Sequence, residues 1–351
     1  DESESRGLGD VYKRQEELMA KTKKIADKKL LEFYRQMVLI RRFEEATVKG
    51  YQQKKIAGFL HTYIGSEAVG VGALAHKEAI DSVVTTYRCH GLGLALGMDP
   101  KACMAELYGK ITGCVRGKGG SMHYFSKEHN YLGGHGIVGG QFGIGIGAAF
   151  RAKYAGEKAV SFIHFGDGAT PQGTFHETMN LASLWDLPAI FICEDNQYAM
   201  GTNKERILSN PKLEDLKHGY NVKGYTLDGM SLFETYHKFG EIVKEVRETS
   251  RPALVHVQTY RFKGHSVSDA ALYRDKSEVE EWQARDPILE VSQYLVDHKI
   301  MSEEEINAFD KQIKNDVKDY VKFAQQSPEP PLEELEKHTY FDDVGAQEWR
   351  L

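Results

Sequence analysis

The sequence predicts a doubly wound α/β domain on a mostly parallel sheet, with helical extensions at its N- and C-terminal ends. Three observations carry this. First, the largely apolar runs Ala159 to Phe165 and Pro188 to Cys193 read as buried strands, because parallel strands are covered on both faces. Second, each run opens into a short polar loop: Gly166-Asp167-Gly168-Ala169 after the first, Glu194-Asp195-Asn196-Gln197-Tyr198 after the second. Third, Asp167 and Asn196 lie 29 residues apart, enough for one helix and one strand. Gly-Asp-Gly alone is also an ordinary turn. The second loop, at this distance and also after a strand, decides against that reading. Open α/β sheets bind ligands at such strand ends.

Along the chain, Gly9-Asp10-Val11-Tyr12-Lys13-Arg14-Gln15 resembles the translated end of a sequencing adapter. Residues 1–15 are therefore set aside from fold reasoning, and the native start is expected upstream. Residues 16–28 form a basic segment whose lysines (Lys21, Lys23, Lys24, Lys28, with neighbouring Lys29) read as a solvated helix face. From Lys29 to Lys55, Leu30, Phe33, Tyr34, Met37, Val38 and Ile40 make a helical stripe. Ser82 to Thr86 reads as a short strand, and Leu254 to Val257 as another, β-branched one. Between them, Gly139, Gly143 and Gly147 recur every four residues, which predicts a helix in close contact with another element. Asp286 to Gln325 reads as helical and ends at Ser327-Pro328-Glu329-Pro330-Pro331, where helix cannot continue. Residues 29–343 thus form one α/β domain with a C-terminal helical extension, and 344–351 a tail.

Composition bounds the function. A chain of 351 residues with 41% hydrophobic content can bury a full core. A net charge of −6 argues against nucleic acid as a partner. No apolar run is long enough to span a bilayer. Cys89, Cys103, Cys114 and Cys193 lack metal-finger spacing, which fits a reducing cytoplasm. Cys89 sits between Arg88 and His90, a setting that can lower a thiol pKa. An incidental thiol is the preferred reading.

The two loops supply a carboxylate, an amide oxygen and a free backbone carbonyl, all hard oxygen ligands suited to Mg²⁺ or Ca²⁺. They are too few for either ion, so water and an anionic cofactor must complete the shell. Gly166 and Gly168 let the backbone approach a phosphate, and the next helix is expected to aim its N-terminus at the anion. Arg88 in Tyr87-Arg88-Cys89-His90-Gly91 can fork onto a diphosphate. His265 in Gly264-His265-Ser266 and His61 in Leu60-His61-Thr62 are candidate acid/bases. Gly91-x-Gly93 followed by Gly97 has the wrong last spacing for a dinucleotide fingerprint, and Gly117-Lys118-Gly119-Gly120-Ser121 lacks the first glycine of a P-loop. Both nucleotide readings are rejected.

Together these residues resemble the α subunits of the E1 components of 2-oxo acid dehydrogenases, whose GDG…N pair is a thiamine diphosphate (ThDP) fingerprint. The resemblance covers about Lys29 to Asp343. It also rests on His61-x-x-Ile64-Gly65-x-Glu67-Ala68, Gly117-Lys118-Gly119-Gly120-Ser121-Met122-His123, Gly136-Ile137-Val138-Gly139, Tyr260-Arg261-x-x-Gly264-His265-Ser266 and the proline-rich tail. It implies the ThDP-binding fold. Asp167, Asn196 and the Tyr198 carbonyl would hold Mg²⁺. Tyr87 and Arg88 would bind the diphosphate, lined by Gly168 and Ala169. The Gly136 carbonyl would meet the cofactor's 4′-amino group, Val138 would wedge it into a bent shape, and His61 and His265 would face its reacting carbon.

The same resemblance implies decarboxylation of a small 2-oxo acid and acyl transfer to a lipoyl-bearing E2. It also implies an E1 β subunit carrying an essential glutamate, in an α₂β₂ assembly. Pyruvate is the expected substrate. The Tyr198-Ala199-Met200-Gly201 segment weighs against acetoin, and Gly136-Ile137-Val138 against branched-chain 2-oxo acids. A non-catalytic scaffold is the rival from another class. Asp195 and His135 depart from the family's usual asparagines, without touching the inferred ligands. Ser266 and Ser268 match serines that are phosphorylated in mitochondrial relatives. A bacterial, cytoplasmic source without that regulation is expected, with mitochondrial or plastid targeting left open by the missing start.

Overall fold

The computed structural model describes residues 24–338. The readings of residues 1–23 and 339–351 lie outside them. Helix α1 (Asp27–Gln52) buries Leu30, Phe33, Tyr34, Met37, Val38 and Ile40, the stripe the sequence shows. Then follow α2 (Glu67–Leu74), β1 (Ser82–Thr86), α3 (His90–Ala95), α4 (Pro100–Leu107), β2 (Tyr131–His135), α5 (Gly140–Tyr154), β3 (Ser161–Gly166) and α6 (Gly173–Leu184). The second half runs through β4 (Ala189–Asp195), the hairpin β5 (Tyr198–Ala199) and β6 (Thr202–Asn203), α7 (Leu216–Tyr220), β7 (Lys223–Asp228), α8 (Leu232–Thr249) and β8 (Ala253–Gln258). It closes with α9 (Lys276–Gln283), α10 (Pro287–Asp297) and α11 (Glu303–Gln326).

Six strands form one sheet in the order β2-β1-β3-β4-β8-β7, and every pairing in it is parallel. The central strands are buried on both faces. Phe162, Ile190, Ile192 and Val255 enter the core that includes α1, α2 and α8. Ile163, Phe165, Phe191, Cys193 and Leu254 alternate into a second core with Phe142 of α5 and Phe175 and Met179 of α6. The chain leaves β1 for the edge strand β2 and returns to β3 on the other side. It likewise passes from β4 to the edge strand β7 before β8 fills the gap. These reversals open crevices at the C-terminal ends of β1, β3, β4 and β8.

The structure refines two expectations. Asp286 to Gln325 is helical, but as two helices. Asp286 caps α10, with Pro287 at its first turn. The chain then turns through Lys299 at φ 57°, and Ser302 starts α11 with a capping box closed by Glu305. The glycine-spaced face of α5 packs closely within this chain only at its start, where a Cβ at Gly139 would stand 2.7 Å from Thr174 Oγ1. A Cβ at Gly143 or Gly147 would meet nothing within 4 Å, though Gly145 lies against Ile163 and Val84. Among the described residues, no helix is long and apolar enough to cross a membrane.

The loop carrying Gly117, Gly119 and Gly120 does cradle an anion, and the anion is the protein's own. The buried Glu106 carboxylate accepts hydrogen bonds from the backbone N–H groups of Val115, Gly117, Gly119 and Gly120 at 2.7–3.1 Å. This supports the rejection of a nucleotide there. The proline-rich tail seals the outside of the loop, with Arg116 forking onto Glu334 at 2.8 Å through both bonds. Replacing Glu106 with alanine orphans four donors at once. Such groups cost roughly 1–3 kcal/mol each when they stay buried, and relaxation recovers part of that. Glu106→Ala is therefore expected to destabilise the chain by about 3 kcal/mol, read by chemical unfolding. An unchanged midpoint would show that the loop is held by something else.

Candidate functional site at the strand ends

Asp167 follows β3 directly, and Asn196 follows β4, its neighbour in the sheet. Both side chains are buried, at 1% and 8% exposure. Asp167 Oδ2 and Asn196 Oδ1 nevertheless have no hydrogen-bond partner. Buried polar atoms are paired in the great majority of cases, so two orphan oxygens at adjacent strand ends mark a place for a cation. Burial, and then the neighbouring Asp195, push the Asp167 carboxyl up to about 7. Among the described residues no three His, Cys, Asp or Glu side chains could hold a metal together. A metal here must draw ligands from a bound anion, as Mg²⁺ does at phosphate sites.

Local backbone shapes the site. The segment after Gly166 is a 3₁₀ turn over Asp167–Ala169, not an α-helix. Helix α6 starts only at Gly173, so the expected helix N-terminus is displaced down the chain. Gly168 lies so close to the β5–β6 hairpin that a Cβ would stand 2.6 Å from the Ala199 Cβ. Gly65 holds φ 101°, and a Cβ there would fall 2.1 Å from the Tyr260 carbonyl oxygen. This lets the His61 loop lie against the loop after β8. The Tyr198 carbonyl, read from the sequence as free, accepts a hydrogen bond from Arg261 Nη1 at 3.1 Å.

Two buried guanidiniums face this region. Arg88, after β1, donates to the carbonyls of Thr62 at 2.9 Å and His265 at 2.6 Å. Arg261, after β8, donates to the carbonyls of Tyr198 and Met200 and to the Tyr273 hydroxyl. Neither has a carboxylate partner among the described residues. Burial, then the Arg261 charge, lowers Arg88 to about 10; burial leads the lowering of Arg261 as well. Unpaired buried cations are costly, and a bound anion is the natural relief. The sequence reading gives Arg261 no role of its own. The signal was present: β1 and β8 are each followed by a Tyr-Arg pair, Tyr87-Arg88 and Tyr260-Arg261.

The predicted histidines meet here. The His61 ring centroid lies 4.4 Å from that of Tyr87 and 5.0 Å from that of His265. Tyr87 and His265 are 5.5 Å apart. Burial, then the Arg88 charge, lowers His61 to about 2 and His265 to about 4, so both are neutral at pH 7. Arginine can only donate, and Arg88 and Arg261 approach His265 Nδ1 at 3.5 and 3.4 Å. Nδ1 is therefore the acceptor, and the ring proton sits on Nε2. Ala169 is buried under the turn. Gly136 is half-buried, and Val138 is exposed on the loop between β2 and α5.

The departures are also placed. Asp195 touches neither Asn196 nor Asp167 by hydrogen bond. It accepts from Lys204 Nζ, from His256 Nε2 at 2.8 Å and from the Gln197 N–H at 3.1 Å. His135 Nε2 approaches the Leu132 carbonyl at 3.3 Å. Cys89 is fully buried, and burial raises its pKa. The lowered-pKa alternative falls, because burial disfavours the thiolate.

Comparison with known proteins places this arrangement among relatives. The family described as "Dehydrogenase E1 component" matches residues 35–333. The chain is 42% identical over 307 residues to the pyruvate dehydrogenase E1 component subunit alpha of Rickettsia bellii (strain RML369-C), covering 88% of this chain and 94% of the relative. It is 45% identical over 307 residues to the protein of that name from Rhizobium meliloti (strain 1021), covering 87% and 88%. The corresponding Zymomonas mobilis protein is 44% identical over 308 residues, with 87% of each chain covered.

The two lowered histidines make a stability prediction. A histidine whose folded pKa lies below its unfolded value of about 6.5 contributes fully above pH 6.5. That contribution is lost as the unfolded chain takes up the proton and the folded chain does not. Stability is expected to fall as pH drops from about 6.5 towards 4, with both histidines contributing to the slope. His61→Gln should flatten that slope by about 1.4 kcal/mol per pH unit. Chemical unfolding of both forms at several pH values tests this. Parallel slopes would place the acid sensitivity elsewhere.

Proposed function

Because the chain belongs to the dehydrogenase E1 component family, we propose that it is the α subunit of a pyruvate dehydrogenase E1 component. In this reading it takes part in ThDP- and Mg²⁺-dependent decarboxylation of pyruvate and acetyl transfer to lipoyl-E2. The carrying observation is the pair of orphan oxygens on Asp167 and Asn196, beside two arginines without carboxylate partners. A diphosphate and a divalent ion supply the charges this site lacks. The names of the relatives support pyruvate as substrate.

Asp167, Asn196 and the Tyr198 carbonyl hold Mg²⁺ in this proposal. Tyr87 and Arg88 bind the diphosphate against Gly168 and Ala169, with Arg261 able to turn from the Tyr198 carbonyl towards it. The Gly136 carbonyl and Val138 contact the thiamine part. When bound, ThDP supplies a carbon nucleophile and an electron sink for loss of CO₂. His265, neutral and protonated on Nε2, donates or moves a proton at the reacting centre. His61, also neutral, packs against it and keeps water out. Residues 29–343 act as one cofactor-binding unit in the cytoplasm.

The site is half a site. Ile137 is 78% exposed beside Val138, and the glycine face of α5 is open. We propose that an E1 β subunit covers this surface in an α₂β₂ assembly and supplies the glutamate for the cofactor's pyrimidine. The test is Mg²⁺- and ThDP-dependent decarboxylation by the chain co-expressed with its β subunit, using an artificial electron acceptor. Pyruvate is expected to be preferred over branched-chain 2-oxo acids and acetoin, with no turnover by the chain alone. Asp167→Asn should lower turnover by at least the roughly 10–100-fold that loss of even an outer-shell partner of a metal costs. Preference for another substrate would keep the cofactor site and overturn the substrate. A folded complex with no ThDP-dependent turnover would favour a scaffold.

A further inference from the structure

Two carboxylates lie side by side at the ends of β3 and β4. Gly166 pairs in register with Glu194, so Asp167 and Asp195 occupy matching next positions. Asp195 is fully buried and is one of the charges that push on Asp167. The two differ in their partners. Asp167 keeps an orphan oxygen, whereas Asp195 is committed to protein donors. Its Oδ2 meets Lys204 Nζ and His256 Nε2, and its Oδ1 accepts from Gln197 N.

Lys204 is placed to do more than neutralise. It follows the β5–β6 hairpin that carries the Tyr198 carbonyl. Its backbone N–H reaches back to the Gln197 carbonyl at 3.3 Å and closes the hairpin base. That hairpin includes two non-glycine residues with positive φ, Gln197 at 74° and Met200 at 53°, a conformation that needs outside support. Arg261 holds the tip through the Tyr198 and Met200 carbonyls. Lys204 holds the base through Asp195. The Lys204 side chain is only 14% exposed and that of Asp195 is fully buried, so neither charge tolerates losing the other.

We propose that Lys204 is a positioning residue for the divalent-ion site, matched in charge to Asp195, and that the pair sets the placement of the hairpin carrying the third metal ligand. This rests on the cofactor reading above. Asp195→Asn leaves a buried ammonium beside the cation. Lys204→Met frees the hairpin base. The double change leaves a neutral pair: it removes the unpaired charge, but the hairpin base stays untethered.

The test uses the purified complex with its β subunit. Mg²⁺ is titrated at fixed ThDP, and thermal protection is read alongside turnover. Each single change is expected to raise the Mg²⁺ concentration for half-protection ~10–100-fold, the usual cost of disturbing a group that orients a metal ligand. The double variant should recover the part of the Asp195→Asn loss that comes from the unpaired ammonium yet stay weaker than the parent, because the tether is still missing. Lys204→Arg should resemble the parent. A double variant equal to the parent would overturn the positioning role. Tighter Mg²⁺ binding by Lys204→Met would overturn the proposal, since the lysine would then only repel the ion. So would silent single changes, or a double variant as poor as the two losses combined. If Lys204→Met does not fold, Asp195→Asn against the double variant still decides. A parent complex without Mg²⁺-dependent protection would instead sink the cofactor reading.

Discussion

The fold holds charges it does not itself balance. Arg88 and Arg261 are buried against neutral acceptors, backbone carbonyls with the Tyr273 hydroxyl and the His265 ring, and Asp167 and Asn196 bury oxygens with no donor. Each would cost stability in an isolated chain. Together they sit at the ends of four neighbouring strands and call for one ligand that brings both signs. A diphosphate paired with a divalent ion does so, while a simple anion or cation would satisfy only half. The all-parallel sheet makes this possible, because it points β1, β3, β4 and β8 the same way and brings their exit loops together.

The central sheet was legible because burial on both faces leaves strong composition in β3, β4 and β8. Their residues alternate between two cores, so both parities must be apolar. The edge strands left no such trace. β2 reads Tyr-Leu-Gly-Gly-His and β7 reads Lys-Gly-Tyr-Thr-Leu-Asp, because an edge strand has one neighbour and less to bury. The break between α10 and α11 was missed for a related reason. The apolar periodicity resumes after it, and only the Ser302–Glu305 capping box marks the restart.

At the site, spacing found the residues that follow strands directly. His265 lies further out on the loop after β8, whereas Asp167, Asn196, Tyr87 and Arg88 all lie within two positions of a strand end, where the sequence constrains geometry. It could not show that the Tyr198 carbonyl is already engaged, because backbone hydrogen bonds leave no residue signature. Nor could it show Lys204 reaching Asp195. A lysine in a polar loop looks like a solvated one, and only burial distinguishes them. Arg261 lay between, since its Tyr-Arg context repeats that of Arg88.

The unbalanced charges also bear on why the site would be shared between two chains. Arg88 and Arg261 are held by backbone carbonyls from the loops before α2, after β4 and after β8, so on the cofactor reading the phosphate end of the ligand would be gripped by this chain alone. The opposite end has no such grip. The loop after β2 offers one half-buried glycine and then the exposed Ile137 and Val138, and it runs directly into α5 with its open glycines. Exposed apolar groups beside a small-residue helix face gain most from a second surface that approaches closely. On the two-chain reading, assembly buries that surface and completes the cofactor's far end in one step. Turnover would then depend on association, while ion and phosphate binding would remain a property of the loops ordered by Arg88, Arg261 and Lys204.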